Sequence, residues 1–258
     1  MKKIVIVGSG NVAYSLALAF DGNCDYKLVQ IISRSESKGQ KIAQLSNSTW
    51  GDFSWPVALA DIYILAVRDS AIDEVAKILL PKIADGSIIC HSSAVTPLIE
   101  CSERNITSGR FYPLQTFTEN IKSDFKKIII FIESKCSKTE QNLVALSNSI
   151  SKSHIVIKGD ELEKIHLAAT FANNFTNRMY HHAEEILAEC GLERSILYPL
   201  IQEGVDKLVN SSLKAKYLQT GAAVRGDEKT MQRHRAMLSP KRRELYDLIT
   251  KDIKDDKF

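Results

Sequence analysis

No stretch of this 258-residue chain stays apolar for long. Runs such as Ile128 to Ile132 end after five residues, against the ~20 that a membrane-spanning helix requires, so no such helix is expected. Lys2-Lys3 before Ile4 to Val7 has the start of a secretory signal. Gly8 to Asn11 then cuts the apolar run below the ~7–15 residues such a signal needs, and a cytoplasmic protein is expected. Cysteine is scarce and unpatterned. The five residues (Cys24, Cys90, Cys101, Cys136, Cys190) include no Cys-x-x-Cys pair or His/Cys cluster, which excludes a disulfide framework and a structural zinc, and no metal is expected. Charge of one sign is also lacking, with 34 Lys+Arg against 31 Asp+Glu, so neither nucleic acid nor a membrane surface is an expected partner. One local excess, six basic residues and no acid from Lys229 to Arg243, comes without the aromatic platform or motif of a nucleic-acid site. Pro/Gly-rich tracts and internal repeats are absent as well.

What is present is the mix of an ordinary globular protein, 44% hydrophobic and 25% charged, long enough for one large or two modest domains. Up to about residue 157, short apolar runs alternate with amphipathic stretches, the pattern of parallel strands joined by crossover helices. Strands are expected at Lys3-Val7, Lys27-Ile32, Ile62-Val67, Ser87-His91, Ile128-Ile132 and Ile155-Ile157, with helices at Asn11-Phe20, Ser35-Leu45, Ala71-Leu80 and Thr139-Ile150. After Gly159-Asp160 the β-branched runs stop and long helical segments follow: Glu161-Cys190, Glu193-Ser212, Asp227-Met237 and Pro240-Lys254. The expected fold is a doubly wound parallel α/β sheet over residues 1–158, followed by an all-α domain over 159–258.

The first chemical signal is Gly8-Ser9-Gly10-Asn11-Val12-Ala13, a Gly-x-Gly-x-x-Ala placed directly between a strand and a helix. Gly8 permits the tight turn, Gly10 lets a pyrophosphate approach the backbone, and Ala13 allows close helix-to-strand packing. Free amides at the helix start then face the phosphates. At the end of the second strand an NAD site usually presents an acid, whereas this chain reads Ser33-Arg34-Ser35. Arg34 can pair with a 2′-phosphate while the serines add hydroxyls, so NADP is the expected cofactor. Doubly wound sheets bind ligands outside the carboxyl ends of their strands. Ala66-Val67 therefore belongs beside the cofactor, and His91-Ser92 is a candidate for the substrate, although these serines could equally shape a turn. Thr96-Pro97 has the form of a helix start.

Ile165 to Asn177 runs thirteen residues without a charge. At 100° per residue His166, Thr170, Asn173 and Asn177 fall on one ridge, expected either to hydrogen-bond neighbouring helices or to face bound substrate.

Gly8 to Ala13, Phe111-Tyr-Pro-Leu-Gln-Thr-Phe117, His166-Leu-Ala-Ala169 with Asn173-Asn174, and Thr220-Gly-Ala-Ala-Val-Arg-Gly-Asp227 together resemble the Rossmann-like NADP oxidoreductase family. That family is allied to pyrroline-carboxylate reductase, deazaflavin-dependent NADP reductase and prephenate dehydrogenase. The resemblance implies an N-terminal NADP domain, a C-terminal helical domain of the 6-phosphogluconate dehydrogenase type, and dimerisation through those helices. Two departures limit what carries over. Hydroxyacid dehydrogenases place a catalytic Lys four residues before an Asn of this helix, where this chain has Thr170 before Asn174 and Ala169 before Asn173. Prephenate dehydrogenases carry a His where this chain has Tyr112.

The expected protein is an NADP-dependent oxidoreductase acting on a small C=O or C=N compound, with His91, Ser92, Tyr112, Gln115, His166 and Asn173 lining the substrate site. Hydride exchange between NADP and a deazaflavin, or a non-catalytic NADP-binding regulatory module, are the alternatives. A homodimer is expected because the helices after residue 160 carry more apolar positions than a domain of that size can cover.

Overall fold

The computed structural model describes residues 1–101, 104–119, 121–158 and 160–255. They fall into two compact units, Met1–Asn173 and Asn174–Phe258. The expected boundary adjoins Gly159, which lies outside the described residues, and the first unit extends past it to Asn173.

The first unit is built on eight strands: β1 (Lys2–Val7), β2 (Tyr26–Ile32), β3 (Thr49–Gly51), β4 (Ile62–Leu65), β5 (Ile88–His91), β6 (Thr107–Pro113), β7 (Ile129–Glu133) and β8 (Ser153–Val156). They lie in the order β3-β2-β1-β4-β5-β6-β7-β8. Neighbours are parallel except β6 and β7, where Tyr112 lies opposite Phe131 in an antiparallel pair. Strand order reverses beside β1, so the crevice favoured by ligands lies at the carboxyl ends of β1 and β4.

The alternation of side chains explains the layers. Ile4 and Ile6 of β1, Ile62 and Ile64 of β4, and Ile130 and Ile132 of β7 point to one face, where they meet α1 (Asn11–Phe20), α2 (Glu36–Leu45) and α4 (Ser137–Ile150). Val5, Val7, Tyr63 and Leu65 point to the other, against Ile72, Val75, Ala76 and Leu79 of α3 (Ile72–Leu79). Farther along that sheet, Phe131 packs with Ala94, Ile157 and the fully buried Leu162 of α5 (Glu161–Ala169), which is why α5 belongs to the sheet unit.

β3 and β6 were not expected. β6 carries Gly109, Arg110 and Pro113, which break the apolar alternation; the first two answer to packing partners and Pro113 ends the strand. A Cβ at Gly109 would stand 2.5 Å from Leu143 Cδ1 and 3.0 Å from the carbonyl of Glu133. Thr96-Pro97 does not begin a helix, because the buried Ser93 hydroxyl takes the Val95 and Thr96 amides (3.2 and 3.0 Å) into a closed turn instead. Thr170–Phe175 is π-helical, so the 100° step behind the expected polar ridge does not hold there.

The second unit contains α6 (Thr176–Glu189), α7 (Tyr198–Asn210), α8 (Glu228–Met237) and α9 (Pro240–Asp255), and no strand among its described residues. The Thr220 to Asp227 motif forms a turn in which Gly221 and Gly226 take φ of +110° and +66°. Asp227 then caps α8 by accepting the Thr230 amide at 3.1 Å. The basic run is partly neutralised from a distance. Arg242 pairs with Glu185 and Glu189 (2.9 and 2.6 Å), and Arg235 with Asp247 (2.5 Å). No described helix is long and apolar enough to cross a membrane.

Candidate active site

The turn between β1 and α1 has the features a dinucleotide requires. Gly8 has φ +128°, and a Cβ there would stand 2.3 Å from the carbonyl oxygen of Ala66, so only glycine lets the ends of β1 and β4 meet. Their closeness is fixed by the Ala66 amide donating to Val7 O (2.7 Å). Gly10 is different: a Cβ there would meet nothing within 4 Å, so its bare backbone faces open space. It is also the N-cap of α1 and brings no capping side chain. The first amides of the helix are therefore available to an anion. Ser9, Asn11 and Val12 sit in the same turn, and Val67 follows Ala66. This cradle fits the pyrophosphate of a dinucleotide.

At the end of β2, Arg34 is exposed, while Ser33 is turned inward. The Ser33 hydroxyl donates to Ser35 O (3.0 Å) and accepts from the Trp50 indole (3.1 Å), so it braces the turn. Two cations that the sequence reading passed over stand closer to the glycine turn. Lys38 and Lys41 help line a small cavity with Ser9, Gly10 and Asn11, and both pair with Glu119 (3.9 and 3.5 Å). Their spacing of three on α2, just after Ser33-Arg34-Ser35, was the available signal.

The end of β5 is closed upon itself. His91 is fully buried; its Nδ1 accepts the Ser93 amide (3.3 Å), which leaves Nε2–H to donate to Pro97 O (3.1 Å). Burial, reinforced by the neighbouring Arg110 cation, pushes its pKa down to about 4. The imidazole is thus a neutral brace with both nitrogens occupied, which removes it as an acid or base for substrate. Ser92 is half-buried, and its amide and hydroxyl reach Leu65 O at 3.1 and 3.4 Å. Arg110 of β6 secures the same turn by donating to the carbonyls of Ala94 (2.6 Å) and Thr96 (2.8 Å). Glu133 lies 3.3 Å from Arg110 Nε, offering charge without good hydrogen-bond alignment. A lone Arg between Gly109 and Phe111 was the clue to this brace.

The end of β6 gathers the remaining candidates. Tyr112 Oη shares a hydrogen bond of 2.9 Å with His166 Nδ1 of α5, and the two rings meet edge to face. Partial burial, then the field of Asp69, raises the Tyr112 pKa above the ordinary phenol value, so Tyr112 holds its proton at neutral pH. Asn173 donates to the Thr116 hydroxyl, and Gln115 is exposed with its carbonyl accepting the Thr116 amide (2.8 Å). The loop is tied to the glycine turn through Asn11 Nδ2, which donates to Phe117 O (3.0 Å). Thr170, inside the π-helical stretch, returns its hydroxyl to His166 O at 3.1 Å. The structure therefore brings Tyr112, Gln115, His166 and Asn173 together around the loop that also touches α1, and leaves His91 outside the group.

Residues 3–94 match the family model described as NADP oxidoreductase, coenzyme F420-dependent, and residues 128–253 match a domain of unknown function, DUF2520. No curated protein sequence matches significantly. Among solved structures, a Bacteroides fragilis protein assigned as an NADP oxidoreductase is 31% identical, with a TM-score of 0.92 and 98% of each chain covered. An imine reductase from Myxococcus stipitatus in complex with NADP+ is 14% identical (TM-score 0.67; 98% of this chain and 93% of that one). A pyrroline-5-carboxylate reductase from Coxiella burnetii is also 14% identical (TM-score 0.59; 98% and 96%).

Proposed function

The chain belongs to the NADP oxidoreductase family of the Bacteroides fragilis protein, and from that premise we propose that it reduces a small C=N or C=O compound with NADPH. The bound cofactor would supply the hydride. Gly8 to Val12 would hold its pyrophosphate, Ala66 and Val67 would lie alongside, and Arg34, seconded by Lys38, would meet the 2′-phosphate. Tyr112 would hand a proton to the nitrogen or oxygen as the carbon bonded to it takes the hydride, and His166 would return one to Tyr112 from solvent. The observation that carries this reading is the Tyr112–His166 hydrogen bond: a phenol kept protonated, with an exposed imidazole as its side-chain hydrogen-bond partner, suits a general acid. Gln115 and Asn173 would orient the substrate. C=N is favoured over C=O because reductases of imines and of a pyrroline share the fold.

NADPH oxidation with a panel of cyclic imines and ketones tests this. Tyr112→Phe is expected to lower kcat/KM at least ~100-fold while leaving NADPH affinity within about twofold. Unchanged turnover in that variant would remove Tyr112 from the chemistry. A second reading, hydride exchange between NADP and a deazaflavin, is supported by the description of the family matching residues 3–94. It predicts bleaching of the deazaflavin by NADPH in the same assay.

The same reading places the protein in a reducing cytoplasm, in keeping with five unpaired cysteines, and assembles it as a two-fold dimer.

A further inference from the structure

Within the helical unit, Asn174 opens a polar face that continues along α6 through Asn177, Arg178, His181 and Glu184, at spacings of three and four residues. With Arg194 these side chains line a cavity of about 410 Å³. Its charges do not balance. Glu184 is committed to Arg194 (3.0 Å), and His181 approaches Glu185 (3.6 Å), while Arg178 has no acidic partner among the described residues. One guanidinium is therefore left over, flanked by two amides whose NH2 groups can also donate.

We infer that this cavity is a carboxylate-binding subsite, with Arg178 as its anchor and Asn174 and Asn177 as its flanking donors. A planar guanidinium fork matches the two oxygens of a carboxylate, and one unmatched positive charge matches a monoanion better than a phosphate dianion. The subsite goes beyond the reductase reading: its ligand would be a small organic monocarboxylate, held by the charge of Arg178 and by hydrogen bonds from the two amides.

Ligand-observed NMR on the full chain at low chloride compares benzoate with benzamide, two probes of the same shape that differ in charge. Benzoate is expected to bind at least tenfold more tightly, and Arg178→Gln is expected to remove that preference. Equal binding of the two probes by the unsubstituted chain overturns the inference and needs no variant. Benzoate preference that survives in Arg178→Gln, or displacement by inorganic phosphate at least tenfold better than by acetate, also overturns it. NADPH titration of the same samples keeps the two readings apart. Loss of benzoate preference with intact NADPH binding removes the subsite alone, whereas absence of NADPH binding removes the reductase reading.

Discussion

The sheet unit and the helical unit solve the burial problem differently. In the first, the central strands are apolar on both faces, and residues such as Ile4, Ile6, Ile64 and Leu65 are wholly covered within the unit. In the second, Met231 and Thr250 are the only buried residues among those described, while Leu200 and Val209 are 69% and 73% exposed. A chain that leaves Ile186, Ile196, Leu200, Leu208 and Val209 uncovered exceeds the scattered apolar exposure normal for a monomer. The difference is that the sheet unit covers its central strands, whereas the helical unit leaves most of its apolar side chains uncovered, which supports the proposed two-fold dimer.

The largest expected effect would break that comparison outright. Val205, Leu208 and Val209 share one face of α7. Val205→Glu with Leu208→Glu should weaken self-association at least a thousandfold, about 4 kcal/mol, and shift sedimentation from two chains to one. If the unsubstituted chain already sediments as one chain at micromolar concentration, the exposed face has another purpose and the dimer is wrong.

The next effect tests how closed the sheet unit is. His91 is held neutral, so below about pH 6.5 the unfolded chain takes up a proton that the native site resists until about pH 4. The stabilisation from His91 is therefore complete above pH 6.5 and lost as pH falls from there through 4, a total of about 3 kcal/mol. His91→Gln, which can still donate to Pro97 O, should flatten the fall in melting temperature across that range relative to the unsubstituted chain. Parallel curves would mean that the turn opens or hydrates on protonation.

The same contrast governs what the sequence discloses. β1, its glycine turn and α1 were legible because strand alternation, Gly8, Gly10 and the helical period all serve local geometry. β6 was not, since Gly109 answers to Leu143 of α4 and Arg110 to carbonyls in the turn after β5, both remote in sequence. Tyr112 and His166 were each legible as candidates, but their hydrogen bond spans 54 positions and no periodicity announces it. The π-helical stretch shows the reverse: its lack of charge stands out in the sequence, yet nothing in that composition announces the change of helical phase. His91 stayed open in the sequence because a histidine at a strand end looks alike whether it serves a ligand or braces the turn beneath it.

The smallest effect sharpens the comparison within the sheet unit, where Arg34 stands exposed beside the buried Ser33. Ser33 is already bonded to Ser35 and Trp50, so the selectivity expected of Ser33-Arg34-Ser35 must come mainly from the arginine. Arg34 is in no ion pair among the described residues, and removing it strands no buried charge. Arg34→Ala should therefore leave the melting temperature unchanged and weaken NADPH by about 1.5–3 kcal/mol, the worth of a charge-assisted contact to phosphate. NADH, which lacks that phosphate, should bind as before, and fluorescence titration of both cofactors measures the pair. If the unsubstituted chain binds NADPH and NADH equally, Arg34 has no phosphate to meet. If Arg34→Ala keeps the preference, Lys38 and Lys41 supply it, and Glu119, which pairs with both, becomes the residue that tunes it.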